Sequence, residues 1–163
     1  MRKKELTRLI SFACVLFVAQ FPQPSQAQTS QAQTSREDTV QACRSALEEA
    51  NNVIYDEHNA FIGNASAVDL GDLYSSYPTQ KPTGILLRIQ GQSAPEIMQS
   101  PQLMTALSTS LINRCQPLSM VTFQLDQTDW EATFGLIENQ IVSFECTDPN
   151  QSTALNWGEA FCP

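Results

Sequence analysis

The chain has 163 residues, with 9 Lys and Arg, 17 Asp and Glu, one histidine and five cysteines, a length that suits one domain and excludes a multidomain machine. Its formal charge of −8 argues against nucleic-acid binding, which needs clustered Lys and Arg on one face.

Arg2, Lys3, Lys4 and Arg8 precede an apolar run from Leu9 to Ala19, followed by Phe21-Pro22-Gln23-Pro24 and Ser25-Gln26-Ala27. A charged segment, a short apolar stretch and a small-x-Ala site predict a secretory signal peptide over residues 1–27. The apolar run is about 11 residues against the roughly 20 that a spanning helix needs, so no membrane span is expected in the mature chain. Ala13-Cys14 looks like a lipoprotein site, but Ser11 stands where Leu is usual and the apolar run continues as Val15-Leu16-Phe17-Val18. Cys14 is therefore assigned to the leader.

Ser25-Gln26-Ala27-Gln28-Thr29 is duplicated as Ser30-Gln31-Ala32-Gln33-Thr34, so cleavage could follow Ala27 or Ala32. The polar remainder has nothing to bury, which predicts a disordered lead-in over residues 28–36 and a single domain over 37–163. Removal of residues 1–27 takes away Arg2, Lys3, Lys4, Arg8 and one acid, Glu5. Five Lys and Arg then face sixteen Asp and Glu, a net charge of −11. Such a surface repels phosphate backbones and anionic lipid and suits a cationic partner.

Four cysteines remain, Cys43, Cys115, Cys146 and Cys162. An even count in an exported domain predicts two disulfides, with three connectivities open. The preferred pairing is Cys43 with Cys115, joining two antiparallel helices at their ends, and Cys146 with Cys162, tying the tail to a strand. A four-cysteine metal site is disfavoured because there is no Cys-x2-Cys pair and His58 is not spaced as a partner.

Val40, Cys43, Leu47, Ala50 and Ile54 recur at helical spacing behind Glu37 and Asp38, predicting a helix over about 37–58 with acids in its first turn. Gly63-Asn64 interrupts the pattern, and Val68, Leu70, Leu73 and Tyr74 suggest a short second helix. Pro78 to Pro82 is a connector. Ile85, Leu87 and Ile89 alternate with Leu86, Arg88 and Gln90 as a strand ended by Gly91. Ser100-Pro101 predicts a capped helix start, with an apolar face of Leu103, Met104, Leu107, Leu111, Ile112 and Cys115 that Gln116-Pro117 ends. Three strands follow, carrying Val121, Phe123 and Leu125; then Trp130, Ala132, Phe134 and Leu136; then, after the Glu138-Asn139 reversal, Val142, Phe144 and Cys146. Strand-helix-strand predicts one parallel pair, and the tight turns predict antiparallel additions. The expected fold is α+β, a two-layer sandwich with helices on one face of a four-stranded mixed sheet and two disulfides. The tail, Trp157-Gly158-Glu159-Ala160-Phe161-Cys162, is apolar enough to dock on the body.

The segments Val121-Thr122-Phe123, Gln127-Thr128-Asp129-Trp130, Thr133-Phe134-Gly135-Leu136, Phe144-Glu145-Cys146 and Trp157-Gly158-Glu159 with Cys162 resemble a group of small exported cyanobacterial proteins. The preceding Ser100-Pro101 helix ending in Cys115 fits too, so the resemblance covers roughly residues 84–163. It implies an exported stand-alone domain and a cyanobacterial source. That group has no assigned activity, so the resemblance implies no catalytic residues.

Asp126, Asp129 and Glu131 lie close together, but their loop lacks the alternating acids and glycine of a calcium loop, and Asp at a hairpin serves the turn itself. His58 follows Asp56 and Glu57, yet adjacent helical positions point apart. The chain has no Gly-x-Ser-x-Gly elbow, phosphate-binding glycine loop or zinc signature. Asn64-Ala65-Ser66 and Asn150-Gln151-Ser152 match glycosylation acceptors, read here as polar loops. No catalytic residue, cofactor or metal is assigned. The candidate surface is the outer sheet face, Leu86, Arg88, Met120, Thr122, Glu131, Thr133, Ile137, Ile141 and Glu145, a mixture of apolar and charged side chains able to dock a partner. Together these features predict a non-enzymatic, acidic interaction module, periplasmic or extracellular, whose partner is an unidentified protein or envelope ligand. The alternative is a small carboxylate-based hydrolase of envelope polysaccharide.

Overall fold

The structure is a computed structural model that describes residues 27–148 and 155–161, with side chains from Arg36 onward. The expected leader ahead of Ala27, the Asn150 acceptor and Cys162 lie outside those residues.

In chain order the elements are α1 (Ala27–His58), β1 (Ala60–Asp69), a single 3-10 turn (Leu70–Asp72), β2 (Thr83–Gly91), α2 (Ala94–Met98), α3 (Pro101–Arg114), β3 (Leu118–Leu125), β4 (Glu131–Ile137), β5 (Gln140–Ser143), β6 (Glu145–Thr147) and β7 (Glu159–Phe161). The fold is α+β, with helices packed on a five-stranded mixed sheet of order β1-β2-β3-β4-β5. β2 and β3 are parallel, as the strand-helix-strand order predicts, and the remaining neighbours are antiparallel.

The expectation of four strands is corrected by β1. Its sequence, Ala-Phe-Ile-Gly-Asn-Ala-Ser-Ala-Val-Asp, lacks clean alternation, and Gly63-Asn64 marks an irregularity in its register against β2 rather than a break. The chain enters β1 through Asn59 at φ 49°, a left-handed position that Asn tolerates. β1 ends in the 3-10 turn, where the expected short second helix is reduced to three residues, and the Asp69 side chain accepts from the Gly71 N–H at 2.9 Å.

α1 covers residues 28–36, where a disordered lead-in is expected, and Glu37 and Asp38 fall inside the helix rather than in its first turn. The repeat contains no Gly or Pro, and Ala and Gln extend a helix readily. α3 starts at Pro101 as predicted, but Ser100 makes no side-chain capping bond.

The core lies between the helices and one sheet face. Ala46, Ala50 and Ile54 from α1 and Leu107, Leu111 and Ile112 from α3 meet Leu87, Ile89, Val121, Phe123 and Phe134. The Phe123 and Phe134 rings meet edge to face, with centroids 6.0 Å apart. Each such side chain contributes about 1.5–3 kcal/mol on burial. The expected Cys43–Cys115 disulfide joins α1 to the end of α3 across 72 residues, and Arg114 pairs with Glu49 beside it. Constraining a loop of that length is worth about 4 kcal/mol in the chain-entropy account. Cys146 is disulfide-bonded as well; its expected partner, Cys162, is outside the described residues. Among the described residues no helix is long and apolar enough to cross a membrane.

The last predicted strand divides in two. The turn register sets Val142 opposite Gly135, so Val142 and Phe144 lie on the outer face where the helix side is expected; β5 stops at Ser143, and β6 leaves the main sheet and pairs in parallel with β7. The tail docks as expected, through its own two-stranded sheet.

Candidate functional site

The outer sheet face is organised in three cross-strand rows set by the registers of β2, β3 and β4: Gly84, Met120 and Gly135; Leu86, Thr122 and Thr133; Arg88, Gln124 and Glu131. The period of two in a strand puts all nine on one side, away from the helices.

The first row is covered. Leu70, Tyr74, Met120, Phe144 and Leu155 form a second buried cluster, with Tyr77, Ile137, Trp157 and Ala160 packed around it. The two glycines make room for this roof. A Cβ at Gly135 would strike the Phe144 ring and lie 3.2 Å from Trp157, and one at Gly84 would lie 3.1 Å from Leu70. Three edge-to-face ring contacts, Tyr74–Phe144, Tyr74–Trp157 and Phe144–Trp157, lock the roof together, with centroids 6.0, 5.2 and 5.0 Å apart. Main-chain bonding from the Ser75 N–H to the Leu155 carbonyl at 3.0 Å stitches its two segments.

The second row is the foot of the roof. Thr122 and Thr133 are buried and their hydroxyls are 3.0 Å apart. The third row is open. Gln124 Nε2 donates to Glu131 Oε1 at 2.8 Å, while Arg88 is exposed at the other end of the row. Partial burial raises the Glu131 carboxyl above its ordinary value, Asp129 raises it further, and Arg88 opposes both. The Tyr74 hydroxyl is pushed up to about 12, first by burial and then by the charge of Glu131. The rim of the roof and the open row therefore sense one another electrically.

Of the residues expected on this face, Arg88, Thr122, Glu131 and Thr133 are brought together, with half-buried Leu86 in the middle row. Met120 and Ile137 lie within the roofed cluster and are not available as a docking surface. Ile141 is a correction: it pairs with Leu136 and packs against the helix-side core. Its side chain is set by the two-residue reversal at Glu138-Asn139, which places Ile137 opposite Gln140 and hence Ile141 on the inner face. Glu145 belongs to β6, outside the main sheet. Gln124 and Tyr74 are part of the site and were not expected. Gln124 was legible from its alternation with Phe123, whereas Tyr74 reaches the face through a long-range contact that no local pattern signals.

Asp126 and Asp129 frame the β3–β4 turn. Its bonds are those of a turn: Thr128 Oγ1 donates to the Leu125 carbonyl at 2.9 Å and accepts from the Trp130 N–H at 3.1 Å. Among the described residues no three His, Cys, Asp or Glu side chains converge as metal ligands would. The chain matches no protein-family model, no characterised protein and no solved structure with which it was compared.

Proposed function

We propose that the chain is an exported, acidic interaction module that holds its partner on the Arg88–Gln124–Glu131 row, against the step made by the Tyr74 roof. The observation that carries this reading is the register of those three residues in one open row, next to the Leu86–Thr122–Thr133 row at the foot of the roof. A guanidinium, a carboxamide and a carboxylate spaced across adjacent strands offer donors and acceptors in one line. The apolar step beside them excludes water from one side of a bound group, which strengthens those bonds. A partner presenting both donors and acceptors, as peptide or sugar does, suits such a row.

The test is recovery of the tagged protein from the envelope and medium of its host, in parallel with an Arg88→Ala/Glu131→Gln variant. A protein or glycan retained by the wild type and lost by the variant is the expected result. Recovery of the wild type without any bound partner, or equal retention by both, would overturn it.

The hydrolase alternative has one observation in its favour. Glu131 is a carboxyl raised by partial burial with a second carboxylate, Asp129, close enough to perturb it, the environment of a general acid. Release of reducing sugar from envelope polysaccharide, abolished by Glu131→Gln, would establish that reading; its absence from the wild type removes it.

A further inference from the structure

Among the described residues β1 is the outermost strand of the sheet and pairs only with β2. An edge of this kind offers a row of main-chain donors and acceptors, and proteins ordinarily blunt it with Lys, Pro or inward charge. None of these is present from Ala60 to Val68, and the one irregularity of the strand, between Ile62 and Asn64, stops where regular pairing from Asn64 to Asp69 begins. Gly63, Asn64, Ala65 and Ala67 are exposed. At Ile62, α1 already meets the strand, where Asn51 Oδ1 accepts the main-chain N–H at 2.8 Å. The stretch left open runs from Asn64 to Val68.

Beside it, between α1 and β1, is a cleft of about 290 Å³ lined by Leu47, Glu48, Asn51, Asn52, Ile62 and Ala65. Its aliphatic part is Leu47, Ile62 and Ala65, and its one charge is Glu48. An edge with an adjacent side-chain cleft is the arrangement used in recognition by strand addition, where the main chain supplies affinity and the cleft supplies selectivity.

We propose that β1 receives an extended, basic peptide segment as a sixth strand, with one aliphatic side chain of the segment seated in the Leu47–Ile62–Ala65 cleft. The basic character follows from charge. Glu48 stands at the cleft and Asp69 at the far end of the open stretch, on a chain whose expected mature charge is −11. A second copy of this chain fits poorly, because the residues of its own open stretch on the helix side, Ala65 and Ala67, are too short to fill the cleft, Val68 lies on the outer side opposite Gly84, and the copy brings the same negative charge. The inference concerns the free edge of β1 and its helix-side cleft, whereas the Arg88–Gln124–Glu131 row runs across the outer face from Arg88, the cross-strand neighbour of Asn64, and the inference does not depend on that row binding anything.

The experiment is selection of a random heptapeptide display library on the purified protein, followed by fluorescence anisotropy with the synthesised winners. Winners are expected to carry an aliphatic residue near Lys or Arg and to slow amide exchange over residues 64–68. Filling the cleft with Ala65→Phe should weaken them by at least about tenfold, the value of one lost aliphatic burial. Glu48→Lys should weaken them as well, and Glu131→Gln, three strands away on β4, should leave them unchanged. Thermal melts check that the variants fold, and Glu48→Lys, at a solvated helix position, serves if Ala65→Phe does not. Failure to enrich any saturable binder would overturn the proposal, as would winners sensitive to Glu131→Gln alone. A dimer in sedimentation that Ala65→Phe abolishes would overturn it by assigning the edge to a second copy.

Discussion

Trp157 Nε1 donates to the Leu136 carbonyl oxygen at 3.0 Å, tying the last described segment of the chain to the C-terminal end of β4. The same indole packs edge to face against Tyr74 and Phe144, so one side chain provides both the polar tether and part of the roof. Trp157→Phe keeps most of the packing and strands the carbonyl, and should cost about 1 kcal/mol. Trp157→Ala removes the ring as well and should cost about 3 kcal/mol. Urea unfolding followed by far-UV circular dichroism measures both, and equal losses would show that the tether rather than the packing holds the tail.

The roof rests on the absence of a side chain at Gly135. A methyl there meets the Phe144 ring, which is buried and flanked by two other rings and so has nowhere to turn. Gly135→Ala should therefore destabilise the fold by about 1–3 kcal/mol, the usual range for overpacking. Gly84→Ala is the informative contrast. Its methyl would come within 2.7 Å of Met120 Cε, the flexible end of a side chain that can move aside, so the loss in urea midpoint should be smaller.

The central strands and α3 were legible because their apolar residues keep one period over a whole element: Ile85-Leu87-Ile89 and Val121-Phe123-Leu125 alternate without a fault, and Leu107-Leu111 with Met104 holds the helical spacing. The same alternation identified Arg88, Thr122, Glu131 and Thr133 as neighbours on one face. β1 was not legible, since Gly63, Asn64, Ala65 and Ser66 carry little side-chain preference for a strand and the segment is held mainly by main-chain pairing with β2. Nor was the roof. Tyr74 and Leu155 form a bridge across some eighty residues, a juxtaposition that exists only after the sheet has formed, and without it the outer face reads as open throughout.

Tyr74 should ionise late. Burial and the Glu131 carboxylate both disfavour the phenolate and push the hydroxyl from 10.0 to about 12. The folded state thus holds this proton more tightly than the unfolded chain does, and stability falls as pH climbs from 10 towards 12. Absorbance titration at the tyrosinate band should show one late step that Tyr74→Phe removes. Glu131→Gln removes the smaller cause and should move that step to lower pH without returning it to the ordinary value, because burial remains. A late step unmoved by Glu131→Gln would disconnect the roof from the Arg88–Gln124–Glu131 row.

The β4–β5 reversal places Glu138 at φ 48° and Asn139 at φ 65°. Two successive positive angles match the twist of a two-residue hairpin, and Asn is suited to them, whereas Glu pays a steric cost of roughly 1 kcal/mol. Glu138→Asn should raise stability by about 0.5–1 kcal/mol, and Glu138→Ile, branched at Cβ, should lower it by more. Because this turn sets Ile141 onto the inner face, a destabilised reversal should also show as lost amide-exchange protection in β5 before the central strands.

Ser108 is fully buried on α3, and its hydroxyl has no hydrogen-bond partner among the described residues. A hydroxyl withdrawn from water without compensation costs about 1–3 kcal/mol. Replacing it with alanine removes the cost, improves helix propensity and leaves only the small void of one oxygen atom. Ser108→Ala is therefore expected to raise the thermal midpoint, corresponding to about 1 kcal/mol, with the Cys43–Cys115 bridge intact in both proteins. A lowered midpoint would mean that the hydroxyl is satisfied in solution, by a buried water held between α3 and the sheet, and the α3 amides would then exchange faster in Ser108→Ala than in the wild type.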